Sequence, residues 1–399
     1  MLSLKKRNFL FLLIGAMVIG ALVMGLFSLG MNFLTNQIRL TRSEYNEYQT
    51  LKKNYGELAT LQKLIEEKYY EPVKKQDLIT GAYRGLFWGI GDPYSSYLTK
   101  EDYKQLQEST KGEYQGIGVT LEPDAQGYVN IIAPIDGSPA EKAGIQAGDK
   151  VLAVDGKNYN ADSIDGAVNA MRGQPGTKVE LLLLRGDKEI ELEVVRATIT
   201  LETVKSEMLP SGIGYIRISA FEEKTADDFK NVLRNMETSG AKGLIIDLRD
   251  NPGGLVDASI EVADLLLPEG VVTYTEDRKG EKTFYRSKPG ATDLPYVLLV
   301  NNSSASASEI VAGAVKDFNA GELVGTTTYG KGIIQEIVPL GNGGATKLTV
   351  MQYFSPEGNV IHKVGVEPDY VVEATKTPGG AKPSFDQDAQ LIKAEELLK

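Results

Sequence analysis

Residues 9–34 carry no charged side chain, and only Ser28 and Asn32 among them are clearly polar. An apolar helix of about 20 residues spans a bilayer, so this stretch is long enough to cross one. Lys5, Lys6 and Arg7 precede it. Such a basic flank stays cytoplasmic, which places everything after residue 40 outside the cytoplasm. A secretory signal has a shorter apolar stretch of about 7–15 residues followed by a small-x-small site. Here the only passable site is Ser28-Leu-Gly30, and it follows nineteen unbroken residues, 9–27. The expectation is a single-pass anchor in the cell membrane, with a cleaved, secreted form as the alternative.

The remainder of the 399 residues is too long for one core and implies two or three domains, at about 100–200 residues each. A formal net charge of −11 argues against nucleic acid as a partner, because phosphate binding needs a basic surface. The chain has no cysteine, which excludes a thiol nucleophile and thiolate metal sites. It has one histidine, His362, so a metal site with two histidines is impossible and a Ser-His-Asp triad could use only that residue.

Along the chain the texture changes three times. Residues 42–71 place Leu58, Leu61, Leu64, Ile65 and Tyr69 at helical spacing, with Pro72 as the stop. A second helix is expected over 75–88, followed by the turn Gly91-Asp92-Pro93. From 112 to 198 short apolar runs with glycine punctuation (117–121, 129–133, 150–154, 179–184) flank a helical stretch at 161–171, which reads as a small β module. From 201 onward strands and helices alternate: strands at 213–218, 244–248 and 296–300, helices at 225–238, 255–267 and 308–318. That order implies a sheet covered by helices. After Thr375 comes a Pro/Gly-rich tail, and 387–398 reads as a helix. The expected architecture is α+β and multidomain: anchor or signal segment 1–40, helical region 41–105, β module 106–198, α/β core 199–375 and tail 376–399.

The segment Val300-Asn-Asn-Ser-Ser-Ala-Ser-Ala-Ser-Glu309 joins a buried strand to a helix. A serine there sits where free backbone N–H groups and the helix dipole favour negative charge, which suits a nucleophile whose reaction creates an oxyanion. Ser306 with Glu309 also has capping-box spacing, and Ser303, Ser304, Ser306 and Ser308 are all candidates. A serine nucleophile needs a base. With no cysteine and one histidine, lysine is the remaining common choice, and burial must lower its pKa from about 10.4 for it to accept a proton. Lys331 stands apart from the solvated lysines, in Thr327-Thr-Tyr-Gly-Lys-Gly-Ile-Ile-Gln-Glu336. Gln335, four residues on, shares its face in a strand or a helix and is placed to orient the amine. In Leu244-Ile-Ile-Asp-Leu-Arg-Asp-Asn-Pro-Gly-Gly254 a buried strand enters a glycine turn whose N–H groups can face an anion.

Ser-Ala-Ser-Ala-Ser-Glu, Tyr-Gly-Lys-Gly-x-x-Gln and Asp-Leu-Arg-x-Asn-Pro-Gly-Gly together resemble the carboxyl-terminal processing peptidases, or tail-specific proteases, over roughly residues 60–375. The resemblance implies a crotonase-like core with Ser306 as nucleophile, Lys331 as general base and Gln335 assisting it. It implies an oxyanion hole from the N–H groups of Ala307 and the Gly253–Gly254 turn, with Gly254 favoured. The spacing of 25 residues between Ser306 and Lys331 fits that family. His362, in the closing segment that ends Gly-Val-Glu-Pro-Asp369, is expected to be structural.

Tyr114-Gln-Gly-Ile-Gly-Val-Thr-Leu121 and the stretch 137–156 resemble a PDZ domain. In such a module the loop Gly116, Ile117, Gly118 and Val119 offers N–H groups to a terminal carboxylate, and the next strand edge pairs with the peptide. Arg172, after the module's helix, is a candidate contact to the catalytic domain. The reading is a membrane-anchored serine endopeptidase that recognises C-terminal tails and is gated by its PDZ domain. It implies no metal or organic cofactor and a homodimer formed through the helical region. A non-catalytic PDZ scaffold and a hydrolase using His362 are the rivals.

Overall fold

The computed structural model describes residues 6–35, 40–375 and 383–399. Lys5 and the start of the expected tail, 376–382, lie outside the described residues. The chain divides into two units, 1–82 and 83–399.

In the first unit, the helix Lys6–Thr35 contains Phe9–Ser28, whose mean hydropathy of 2.7 makes it long and apolar enough to cross a membrane. The helix Arg42–Lys68 begins at a reciprocal cap. The Thr41 N–H donates to the Glu44 carboxylate at 2.7 Å and the Glu44 N–H to the Thr41 hydroxyl at 3.3 Å. It stops at Lys68, short of the expected Pro72, because Tyr69 already turns extended. Its apolar stripe, Leu58, Leu61 and Leu64, remains close to half exposed. The helix Lys75–Trp88, whose residues from Tyr83 on belong to the second unit, has the bounds expected from its sequence.

In the second unit the β module is a six-stranded sheet ordered Val119–Pro123, Val129–Pro134, Lys150–Val154, Lys178–Arg185, Lys188–Val195, with Lys157–Asn158 added beside Lys150–Val154. Val129 and Ile131, and Val179, Leu181 and Leu183, alternate into its core, as period-two strands require. The run 117–121 is not one strand. Glu113–Gly116 ends before it and Val119–Pro123 begins within it, because Gly118 takes a positive φ of 80° between them. The helix expected at 161–171 opens with a tighter turn, Ala161–Ser163, and continues as Ile164–Met171. A two-stranded ribbon, Glu113–Gly116 with Ala197–Thr200, lies outside this sheet.

The larger core has a six-stranded sheet ordered Val204–Met208, Gly214–Ile218, Leu244–Asp247, Tyr296–Val300, Glu322–Gly325, Tyr370–Val371. Its first pairing is antiparallel and the others are parallel. Ile216, Ile218, Leu244, Ile246, Leu298 and Val300 share one core with residues of the helices Thr225–Thr238, Val256–Asp264 and Ala307–Phe318. Tyr215, Ile245, Val297 and Leu299 pack with Leu391 and Ala394 of the C-terminal helix, Ala389–Leu397. Both faces are covered, which is why these strands read as unbroken apolar runs. A second, antiparallel sheet (Ser96–Leu98, Gly270–Asp277, Lys282–Ser287, Ile333–Pro339, Ala345–Phe354) escapes the sequence reading. Most residues of Ile333–Pro339 and Ala345–Phe354 are only half-buried, so no clean alternation marks them.

One buried charge joins the sheet to the C-terminal helix. Asp247, fully buried, accepts from the Tyr215 hydroxyl at 2.7 Å, Arg217 at 3.2 Å and Arg249 at 2.8 Å. Arg249 also donates to Asp388 at 2.8 Å and Gln390 at 2.9 Å. Burial pushes the Asp247 carboxyl up, but the hydrogen bonds and charge of Arg249, with Tyr215 and Arg217, hold it below its ordinary value. Its contribution to stability is therefore complete above the unfolded-state pKa, about 3.9, and is lost as pH falls through the lower folded value. Asp247→Ala leaves two arginines without their buried partner. It should cost about 3–5 kcal/mol in denaturant unfolding at pH 7; a loss under 1 kcal/mol would show that the network contributes little.

Candidate active site

Three segments singled out by sequence leave the C-terminal ends of three adjacent parallel strands. Leu244–Asp247 leads to the glycine turn, Tyr296–Val300 to the serine loop and Glu322–Gly325 to the lysine loop. Open parallel sheets place their ligand crevices at such ends. The three segments meet in a cleft of about 560 Å³ lined by Ser306, Lys331, Gln335, Gly253 and Gly254, with Tyr103 and Leu106 of the helix Lys100–Thr110 on another wall.

The structure separates the four serines. The Ser304 and Ser308 hydroxyls are fully buried and donate to the carbonyls of Leu248 (2.7 Å) and Asn251 (3.0 Å). Ser303 is exposed and does not line the cleft. Ser306 lines it, at φ 55° and ψ −114°, immediately before the helix Ala307–Phe318. A non-glycine residue held there stores about 1–3 kcal/mol of strain, and such strain concentrates at functional sites. The Glu309 N–H bonds the Ser306 carbonyl at 2.8 Å.

Glu309, fully buried, does more than cap. Its carboxylate accepts from the N–H groups of Ser306 (2.8 Å), Gly330 (2.7 Å) and Lys331 (2.8 Å), and from the Thr328 hydroxyl (2.6 Å). One carboxylate thus ties the serine loop to the lysine loop.

The glycine turn packs onto the serine. A Cβ on Gly253, at φ 99°, would sit 2.8 Å from both the Ser306 Cβ and the Ala307 nitrogen. The Gly253 N–H is taken, donating to the Asn251 side-chain oxygen at 2.9 Å. Among the described residues, the N–H groups of Gly254 and Ala307 have no hydrogen-bond partner. They are the unpaired donors of the glycine turn and of the helix start.

The Lys331 amine lies over the Tyr94 ring, 5.0 Å from its centroid, and is not hydrogen-bonded to the Ser306 hydroxyl. Burial lowers its pKa first and the nearby charge of Lys347 second; Glu309 and Asp92 oppose both. The Tyr94 face attracts the protonated form, an interaction worth about 0.5–2 kcal/mol. The Gln335 amide donates to the Thr349 hydroxyl at 3.3 Å instead of meeting the Lys331 amine. Gln335 lies on the strand Ile333–Pro339, which settles its local structure as a strand. His362 packs its backbone against Gly332 and does not line the cleft. Sequence reading missed Tyr94, Lys347 and Glu222. Burial raises the Glu222 carboxyl in the cleft to about 6. The only local signal was a turn, a strand or a charged stretch.

In the β module, a groove of about 330 Å³ runs between the edge strand Val119–Pro123 and the helix Ile164–Met171, lined by Gly116, Ile117, Gly118, Val119, Val168 and Met171. Among the described residues, the Ile117 and Gly118 N–H groups have no partner. Arg172 stacks on Tyr114 of the ribbon at 5.5 Å.

Comparison with known proteins places the chain in a family. The profile of peptidase family S41 matches residues 212–372, a PDZ domain profile matches 131–185, and that of the activating protease CtpB N-terminal domain matches 17–102. A carboxy-terminal-processing protease of Bartonella bacilliformis is 37% identical over 84% of this chain and 77% of its own length. The chain belongs to the carboxyl-terminal processing proteases. It is a serine-type peptidase with a PDZ domain. A carboxyl-terminal-processing protease of Synechocystis is 39% identical over 78% of this chain and 75% of its own. The solved photosystem II D1 C-terminal processing protease is similar at 28% identity and a TM-score of 0.50, covering 82% of this chain and 92% of that one.

Because a like charge disfavours a protonated amine, removing the Lys347 charge raises the proton affinity of Lys331. In Lys347→Gln the Lys331 Nζ, followed by ¹⁵N NMR, should titrate at higher pH than in the wild type. An unmoved midpoint would remove Lys347 from the account.

Proposed function

We propose that this protease cleaves peptide bonds with a serine–lysine pair, Ser306 and Lys331. The observation that carries the reading is one cleft lined by a strained Ser306 at the helix N-cap, by Gly254 with its unpartnered N–H and by a lysine whose amine is driven toward neutrality by burial, with the unpartnered Ala307 N–H next to the serine. The neutral amine, turned from Tyr94 toward Ser306, takes the hydroxyl proton as the oxygen bonds to the scissile carbonyl carbon. The N–H groups of Gly254 and Ala307 hold the resulting oxyanion. As the carbon–nitrogen bond breaks, the Lys331 ammonium returns its proton to the leaving amine. Water, deprotonated by the same amine, then attacks the acyl-enzyme, and Ser306 leaves with that proton. Gln335 would assist after exchanging its Thr349 bond for one to the amine.

The PDZ groove is read as the receptor for a substrate's C-terminal carboxylate, with its ribbon to the core as the route for gating. The substrates are proteins or peptides with accessible tails. Phe9–Ser28 is read as the membrane anchor, with the catalytic unit outside the cytoplasm. The exposed stripe of the helix Arg42–Lys68 is read as a dimer surface. We take the divisions as a helical region 41–105, a PDZ domain 106–198 and a crotonase-like core 199–375, supported by the parallel sheet under its helices.

The test is hydrolysis of an unfolded protein by wild type, Ser306→Ala and Lys331→Ala. Each variant should lose at least about a thousandfold in kcat, since a nucleophile and its base act as one unit. Activity that survives Lys331→Ala but not His362→Ala would transfer the base role to the histidine. For the groove, a peptide with a free carboxylate should bind about tenfold or more tightly than its C-terminal amide, the scale of one charge-assisted hydrogen bond; equal affinities would discard the carboxylate reading.

A further inference from the structure

Tyr353 lies near the end of the strand Ala345–Phe354, and its side chain is fully buried in the larger core. Its hydroxyl is 2.6 Å from the Lys331 carbonyl and 2.9 Å from the Ser306 carbonyl. A phenol has one proton to donate, so the two carbonyls compete for it or share it. The competition is unequal. The Ser306 carbonyl also accepts from the helix N–H groups of Glu309 at 2.8 Å and Ile310 at 3.1 Å. Among the described residues, the Lys331 carbonyl has no donor except Tyr353.

The N–H groups of the same two residues both donate to Glu309, each at 2.8 Å. Ser306 and Lys331 are therefore each held at both ends by groups they share. Glu309 holds the two N–H groups, and the Tyr353 hydroxyl lies within hydrogen-bond distance of both carbonyls, nearer that of Lys331. Burial, and behind it the charge of Glu309, raises the Tyr353 pKa well above the ordinary value, so the phenol stays a donor at any working pH.

We infer that Tyr353 is a positioning residue whose phenol fixes the Lys331 peptide against the start of the Ser306 helix and so sets the separation from which the amine reaches the hydroxyl. The inference rests on the serine–lysine reading. Without the hydroxyl the half-buried Lys331 carbonyl has no protein donor, and the lysine loop is free to shift while the substrate walls stay in place. A misplacement near 1 Å costs up to about a hundredfold in rate.

The experiment uses a fluorophosphonate, which acylates a nucleophilic serine, and separates its binding constant from its maximal rate of inactivation. Tyr353→Phe should lower that rate at least about tenfold with the binding constant within about twofold. Tyr296→Phe is the matched control. Tyr296 is a buried phenol that donates to the Leu266 carbonyl at 2.9 Å and touches neither reactive loop. It should lose comparable stability and keep the wild-type rate. A Tyr353→Phe rate within twofold of wild type, or a change confined to the binding constant, overturns the inference. Labelling that survives Ser306→Ala, or a rate untouched by Lys331→Ala, fails the serine–lysine reading itself. Loss in both of those variants with a wild-type rate in Tyr353→Phe fails only the role of Tyr353. Should Tyr353→Phe not fold, 3-fluorotyrosine placed at 353 keeps the hydroxyl and reports on it. Its ¹⁹F resonance should move when Ser306 is phosphonylated, while the same probe at 296 stays put. A stationary resonance at 353 overturns the inference.

Discussion

The buried carboxylate of Glu309 is the interaction on which the site is built. A buried carboxylate must be satisfied by donors, and here all four come from the two segments that have to stay together: Ser306 on one side, Thr328, Gly330 and Lys331 on the other. The Thr328 hydroxyl in turn accepts the Val366 N–H at 2.7 Å, which brings the closing segment into the same network. The charge therefore has two consequences. It secures a strained serine, and it lies near enough to Lys331 to favour the protonated amine. Burial and Lys347 work against that preference, and the balance leaves the amine more easily deprotonated than an ordinary lysine.

That balance gives the resting arrangement its physical sense. The Tyr94 ring attracts the charged form of the amine, which makes no hydrogen bond to the Ser306 hydroxyl. Loss of the proton would remove that attraction. The remaining parts are backbone. Gly253 spends its N–H on Asn251 and lets the turn approach Ser306, leaving Gly254 and Ala307 as open donors. Preorganised N–H groups of this kind need no rearrangement when charge develops.

Much of this was legible in the chain. The apolar run at residues 9–34, the β texture before residue 200 and the strand–helix alternation after it follow from periodicity and length. The strands 244–247 and 296–300 stood out because both faces are covered. The antiparallel sheet carrying Gln335, Lys347 and Tyr353 did not, because its half-buried strands mix polar and apolar residues on each face. Ser306–Glu309 spacing announced a cap, but nothing local announced that the cap's carboxylate also holds a loop more than twenty residues away.

By itself, the sequence determined the chemistry available: no thiol, one histidine, a serine before a helix, a lysine between glycines and a glycine turn after a buried strand. These depend on residue type and short spacing, which the chain states directly. Tertiary structure alone decided which serine faces the cleft, which glycine N–H is free, that Gln335 bonds Thr349 and that Tyr94 seats the amine. Those outcomes turn on which donors and acceptors are consumed by partners far away in the chain, and hydrogen-bond satisfaction in a buried site is settled only when the strands that carry those partners are in register.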